Sequence, residues 1–224
     1  MDNPSYVGVG LVVAIPFGYK VVHRSFARSL ACMAYPIGTS RAFTHVDDQP
    51  LDIAREVLAE KAIANGAKYM LFWDDDIDAP SHGLRYLLAT MEQYSDVLAC
   101  AGIYSARSEP CEPCVFRGVG QGPFWKWKVG EIFEVDAIGP GFMLINLAKL
   151  QSMVRPWFQF VDESSADPNA EVQQVTTTED MYFARKAKAA GHRILAHGGV
   201  LCKHCDRKSG NVYEIPTDSF PFLQ

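Results

Sequence analysis

The stretch Tyr69-Met70-Leu71-Phe72-Trp73-Asp74-Asp75-Asp76 sets an unbroken apolar run directly against three consecutive carboxylates. Five apolar residues in a row read as a strand buried on both faces, as in a sheet covered by helices on either side. The acids stand where that strand ends. Open α/β sheets bind ligands beyond the carboxyl ends of their strands, so the acids fall where a ligand is expected. Carboxylates this dense repel one another and need a counter-charge. A divalent cation is the usual one, because hard ions such as Mg²⁺ and Mn²⁺ take oxygen ligands and bridge carboxylates to substrate phosphates. A solvated acidic turn is the competing reading, since Asp favours turns and Pro80 follows.

Working outward, residues 7–15 form a second near-continuous apolar run, closed by Pro16 and Gly18. Residues 21–35 carry apolar positions at helical spacing. Asp52 caps a predicted helix through Ala64, with Ile53, Val57, Leu58 and Ala62 on one side and Gly66 just past its end. The strand at 68–73 follows. Ser81 then opens a helix to about Tyr94, with Leu84, Leu87, Leu88 and Met91 inward, and 96–104 is the next strand. This β-α-β-α-β order predicts a parallel, doubly wound sheet.

The second half reads differently. Residues 124–135 alternate aromatic and polar positions around Gly130, which predicts a smaller antiparallel hairpin. Residues 138–146 are another strand, with Gly139 and Gly141 at its start, where backbone can approach a ligand closely. A polar stretch, 162–178, reads as a mobile loop. A helix runs from Glu179 to about Ala190 and stops at Gly191, and a final strand covers 193–201.

A net charge of −5 gives no global attraction to nucleic acid or anionic membrane, although Arg185, Lys186 and Lys188, and again Lys203, Arg207 and Lys208, form local basic patches. No apolar run reaches the ~20 residues that span a bilayer. Asp2 rather than a basic residue precedes the first apolar run, which argues against a secretory signal and for a cytoplasmic protein. The apolar tail Phe220-Pro221-Phe222-Leu223 is suited to docking on this chain or another. The cysteines include two C-x-x-C pairs, Cys111 with Cys114 and Cys202 with Cys205. Structural zinc, a disulfide and free, packed thiols all remain open for them.

Four features now fall together: the triple aspartate, the turn Ile138-Gly139-Pro140-Gly141-Phe142-Met143, the helix start Thr178-Glu179-Asp180, and His204 just past the last strand. With Ala14-Ile15-Pro16, Ala54-Arg55, Ala101-Gly102-Ile103-Tyr104 and Pro156-Trp157-Phe158, they resemble the nucleotide-diphospho-sugar glycosyltransferases of the GT-A fold, family 2-like. The resemblance covers most of the chain. It implies an α/β fold of GT-A (Rossmann-like) type, a doubly wound, mostly parallel sheet. It also implies a single domain, 1–224, with a nucleotide-binding half (1–105) and an acceptor and catalytic half (106–224).

The activity implied is metal-dependent transfer of a sugar from a nucleotide-diphosphate sugar, UDP-linked, to an acceptor hydroxyl with inversion. Asp76 is the implied main metal ligand, with Asp74 nearby and His204 as the C-terminal ligand. The register is set only to within one or two positions, because Asp78 continues the acid run. An imidazole ligand favours Mn²⁺ over Mg²⁺. Asp75 is placed at the ribose, and Pro16, Phe17 and Arg55 at the nucleotide. Asp180 is the implied general base, with Glu179 positioning the acceptor.

Each assignment has a plainer competitor. Glu179 and Asp180 suit the positive end of a helix whatever their chemistry. Arg55 also fits an exposed helix charge, and His204 a zinc site with Cys202 and Cys205. Trp125, Trp127 and Trp157 either stack on a sugar or pack in the core. The 162–178 loop is expected to close over bound donor, as lids do. A nucleotidyltransferase is disfavoured because Ile15-Pro16-Phe17-Gly18-Tyr19-Lys20 lacks a Gly-rich basic loop for a triphosphate. A zinc-stabilised, non-enzymatic binding module competes with the transferase, and so does a degenerate transferase that binds nucleotide without turnover. The acceptor stays open among a sugar, a protein, a lipid and a modified nucleic-acid base, and so does the oligomeric state.

Overall fold

The computed structural model describes residues 10–118, 121–163 and 175–216. The chain runs β1 (Leu11–Phe17), α1 (Arg24–Cys32), β2 (Arg41–Asp47), α2 (Leu51–Ala64), β3 (Tyr69–Trp73), β4 (Ile77–Asp78), α3 (Gly83–Gln93) and β5 (Val97–Ile103). Next come β6 (Val115–Phe116), β7 (Ile132–Val135), β8 (Ala137–Ile138), β9 (Phe142–Asn146), α4 (Leu147–Gln151), β10 (Val161–Glu163) and β11 (Val175–Thr177). It ends with α5 (Glu179–Ala189), β12 (Arg193–Leu201), β13 (Lys203–Cys205) and β14 (Val212–Tyr213).

The main sheet has the order β2-β1-β3-β9-β5-β12-β7. β1 is parallel to β2 and β3, and β12 is parallel to β5, while β9 runs antiparallel to both its neighbours and β7 antiparallel to β12. The sheet is therefore mostly parallel. The period of two along β3 divides the core. Met70 and Phe72 pack with Leu58 and Ala62 of α2 and Phe183 and Ala187 of α5. Tyr69, Leu71 and Trp73 face the other way, towards Phe26 of α1 and Leu84, Leu87 and Met91 of α3. All five residues of β3 are buried, which is why its sequence shows no polar interruption.

Several expectations change. β2 was not anticipated from the sequence. It is the sheet's edge, with exposed and half-buried residues alternating, so it lacks the apolar run that marks the central strands. On α2 the buried side is Ala54, Leu58, Ala59 and Ala62, whereas Ile53 is exposed. α1 is shorter than 21–35, and Val21 and Val22 lie exposed before it. Only β7 of the 124–135 stretch is a strand, and it pairs with β12 instead of folding back on itself. Antiparallel pairing also builds the small sheets β14-β13-β4, β10-β11 and β6-β8. The ends of the predicted 162–178 loop are the paired strands β10 and β11. Residues 7–9, the middle of that loop and the apolar tail lie outside the described residues. Among the described residues no helix is long and apolar enough to cross a membrane.

The Gly139-Pro140-Gly141 turn approaches a side chain, not open space. A Cβ at Gly139 would overlap the Tyr104 hydroxyl, and one at Gly141 would lie 2.9 Å from Ile77 Cγ1. Tyr104 is buried and has little room to yield. Gly139→Ala is accordingly expected to cost ~1–3 kcal/mol, the usual penalty for overpacking a core. Urea denaturation measures it, and an unchanged midpoint would show that Tyr104 moves aside without cost.

Candidate active site

β1 and β3 end side by side, so Pro16 and Phe17 come to lie next to Asp74, Asp75 and Asp76. Together with Arg107 and Arg207 they wall a cavity of about 210 Å³. Backbone geometry fixes the acids. The Asp74 N–H donates to Gly141 O on the β9 side at 2.8 Å, and the Ile77 N–H returns to Asp74 O at 3.0 Å, making a turn. The three carboxylates therefore leave the strand end in different directions and find different partners.

Asp74 Oδ2 accepts from Arg55 Nη2 at 2.9 Å, while its Oδ1 is buried with no hydrogen-bond partner among the described residues. Asp75 Oδ2 accepts from the Gly18 N–H at 3.3 Å and pairs with Arg207 Nη1 at 2.6 Å. Burial still raises the Asp75 pKa above the usual carboxylate range, although Arg207 pulls the other way. Asp76 Oδ2 pairs with Arg107 Nη2, and lies 3.6 Å from both Arg207 Nη2 and His204 Nε2. Burial opposes its ionisation too, but His204 in its protonated form, with the Arg107 and Arg207 guanidiniums, outweighs burial and holds Asp76 below the usual range.

His204 reaches this point through a small sheet. β13 pairs antiparallel with β4, with His204 opposite Ile77, and the Cys205 N–H donates to Asp76 O at 2.8 Å. The Ser105 carbonyl lies 2.8 Å from His204 Nδ1. A carbonyl only accepts, so Nδ1 carries the proton and Nε2 keeps its lone pair. Nε2 accepts from Arg107 Nε at 2.9 Å.

Arg55 is 1% exposed and does not line the cavity. Its Nε donates to Glu179 Oε1 at 3.2 Å, and its Cζ lies over the Phe72 ring, 4.9 Å from the ring centre. Burial disfavours its charge, but Asp74 and Glu179 more than compensate and push its pKa up. Arg55 therefore ties the acid run to the start of α5. Glu179 is buried as well and its pKa is raised by burial, so its contact is with Arg55 rather than with solvent.

Asp180 sits in the first turn of α5, half-buried, accepting from the Met181 N–H at 2.8 Å and from Thr178 Oγ1. Its charge is felt by Tyr104 and by Cys114, whose thiol burial and Asp180 together push up to about 12. Tyr104 in turn meets the His204 ring edge-on at 5.2 Å. Asp180 thus belongs to the same electrostatic neighbourhood as the acid run.

Asp76 Oδ2 and His204 Nε2 converge on one point, and the cation between them is the Arg107 guanidinium. An oxygen and a nitrogen donor, with further ligands supplied by phosphates, fit Mn²⁺ or Mg²⁺. They do not make a closed zinc site, and among the described residues no three His, Cys, Asp or Glu side chains are grouped to hold a metal. The zinc expectation for Cys111, Cys114, Cys202 and Cys205 is corrected accordingly: all six cysteines are free. Cys202 packs on β5 at Gly102, whereas Cys205 lies beside Ser25 and Asp78. Trp127 and Trp157 are core residues, 2% and 4% exposed, so neither offers a face to a sugar.

The sequence missed two contributors. Arg207 stood in a basic patch that read as surface charge, yet its side chain is only 9% exposed and lies over the Tyr19 ring at 4.0 Å. Arg107 carried no local mark at all. Only the path of the chain after β5 brings it to the acids.

The sequence matches no protein-family model and no curated protein. Among solved structures, the A197 protein from STIV superposes with a TM-score of 0.63 at 16% identity, covering 91% of this chain and 93% of that one. S. aureus TarS 1-349, crystallised in complex with UDP-GlcNAc, gives 0.51 at 15% identity over 84% of this chain and 56% of that one. The same piece without mention of a ligand gives 0.50 at 14% identity, over 84% and 58%. The chain thus spans a little over half the length of the TarS piece. At these identities the likeness establishes the fold, and that fold is the GT-A glycosyltransferase fold.

Proposed function

We propose that this chain is a glycosyltransferase that takes a sugar from a nucleotide-diphosphate donor, UDP-linked, and passes it with inversion to an acceptor hydroxyl. The observation that carries the reading is an acid run that lines a cavity at the ends of β1 and β3, with His204 Nε2 3.6 Å from Asp76 Oδ2. Open α/β sheets take their ligands at this end. TarS, one of the structural neighbours, was crystallised with UDP-GlcNAc, which makes UDP the first nucleotide to try.

In this reading the chain is one domain. Residues 1–105 bind the nucleotide, with Pro16 and Phe17 against the base and Asp75 at the ribose. Residues 106–224 supply the acceptor side. Asp76 and His204 would hold Mn²⁺ or Mg²⁺, with Asp74 close by. Bound there, the ion would neutralise the charge that develops on the leaving diphosphate. Arg55 and Glu179 keep the acid run and α5 in fixed relation. Asp180 accepts the proton of the acceptor hydroxyl as that oxygen attacks.

Calorimetric titration of UDP with and without Mn²⁺ tests the donor site. Binding is expected to need the ion and to weaken about tenfold to a hundredfold in Asp76→Asn, as ~1.5–3 kcal/mol for one charged contact implies. UDP binding that ignores both the ion and the substitution would remove Asp76 from the site. Failure of every nucleoside diphosphate to bind would overturn the reading.

A further inference from the structure

Each carboxylate of the acid run is already matched by a guanidinium: Arg55 at Asp74, Arg207 at Asp75 and Arg107 at Asp76. The three arginines differ in how they are held. Arg55 is 1% exposed and clamped between two acids. The Arg207 side chain is 9% exposed, with its guanidinium carbon 4.0 Å from the centre of the Tyr19 ring. The Arg107 side chain is 35% exposed and springs from the connection between β5 and β6. It is the most exposed of the three and the least enclosed by packing.

Its contacts are also of a different kind. Arg107 satisfies Asp76 Oδ2 and His204 Nε2 at once, two lone-pair donors 3.6 Å apart. A carboxylate oxygen and an imidazole nitrogen whose other nitrogen is pinned to a backbone carbonyl are the donors a divalent ion takes. A guanidinium supplies charge at that point without being a Lewis acid.

We propose that Arg107 is an internal counter-ion that holds the divalent-cation position and yields it when the ion arrives with a nucleoside diphosphate. The released guanidinium then pairs with the diphosphate oxygens. This inference rests on the nucleotide-sugar reading of the same cavity and adds to it an order of events.

Charge explains why the exchange needs both partners. Asp74, Asp75, Asp76 and Glu179 oppose Arg55, Arg107 and Arg207, so the site is close to balanced without any ligand. A diphosphate alone meets no surplus of positive charge. A divalent ion alone must evict Arg107 and leave its guanidinium without a carboxylate. Arriving together, ion and diphosphate replace one balanced set by another. Space agrees, since the cavity of about 210 Å³ is smaller than the ~300–1,000 Å³ of typical small-molecule sites. Arg107 is one of its walls, so its departure enlarges the cavity.

The test follows the free Mn²⁺ signal by electron paramagnetic resonance during titration of the protein, with and without UDP. Wild type is expected to bind Mn²⁺ weakly alone and at least about tenfold more tightly with UDP, a coupling of ~1.4 kcal/mol. Arg107→Ala should bind Mn²⁺ alone at least about tenfold more tightly than wild type, with a smaller gain from UDP. Arg107→Gln, which keeps a hydrogen-bonding side chain without the charge, should follow Arg107→Ala and guards against a folding artefact. Arg107 variants that are folded by circular dichroism but bind Mn²⁺ no better than wild type overturn the proposal, whether or not UDP binds. Tighter Mn²⁺ binding in the variants with no response to UDP in any protein keeps the counter-ion role and overturns the nucleotide reading instead.

Discussion

Arg55→Ala is expected to destabilise the fold by about 3–5 kcal/mol, the cost of breaking a buried charge pair by removing one partner. Arg55 is 1% exposed, and its guanidinium lies between Asp74 and Glu179. Removing it leaves two carboxylates without counter-charge, and the Glu179 side chain is only 6% exposed. Water cannot take over that role without opening the junction between α2 and α5. Lysine is a poor substitute, because a point charge reaches one acid and loses the guanidinium's contact with the Phe72 ring. Arg55→Lys should therefore fall between wild type and Arg55→Ala in urea denaturation. Combining Arg55→Met with Glu179→Gln should cost less than the sum of the single changes, because residues sharing one charge network couple. An Arg55→Ala midpoint equal to wild type would show that the buried network contributes nothing to stability.

That network explains how two distant parts of the chain build one site. The acid run lies at the end of β3, but second-half residues hold it on both sides. Gly141, just before β9, accepts the Asp74 N–H, and β13 lays His204 beside Asp76 through its pairing with β4. α5 begins where Arg55 grips Glu179, so Asp180 inherits its position from the same clamp. The acid run and the start of α5 are thus linked by a buried salt bridge and not only by the sheet.

How much of this was legible in the sequence follows from how local each cause is. β3, α3 and the acid run were legible because burial on both faces, or on one helical face, leaves its mark residue by residue. His204 was legible only through its resemblance to a family position, and the structure places it against Asp76. The antiparallel insertion of β9 between β3 and β5 was not legible, since a fully buried strand reads the same in either direction. β2 escaped because an edge strand needs no apolar run. The demand of three adjacent acids for counter-charge was physically sound. Its source in this structure is three arginines from distant segments, and no short window of sequence records that. The small residues of the 138–143 turn are explained by the Tyr104 ring and hydroxyl, a contact set by the tertiary fold alone.

Asp180→Asn is expected to lower the rate of sugar transfer by ~10²–10⁴-fold, the usual contribution of a general base. The substitution separates the two roles that the position can play. Asparagine keeps a side-chain oxygen that can still accept from the Met181 N–H as Asp180 Oδ1 does at 2.8 Å. What is lost structurally is one negative charge at the helix start, worth ~0.3–1 kcal/mol. A carboxylate needed only at the positive end of the helix would therefore show a small loss of stability and an unchanged rate. A base would show the reverse, with UDP and Mn²⁺ binding as in wild type, because the hydrogen bonds of Asp180 go to Thr178 and Met181 and not to the acid run or His204. The stereochemistry of the product adds an independent check. Single displacement with Asp180 as base inverts the anomeric centre. A product that keeps the donor's configuration would take that role from Asp180 even if Asp180→Asn were slow, and would require a nucleophile on the donor side of the cavity instead.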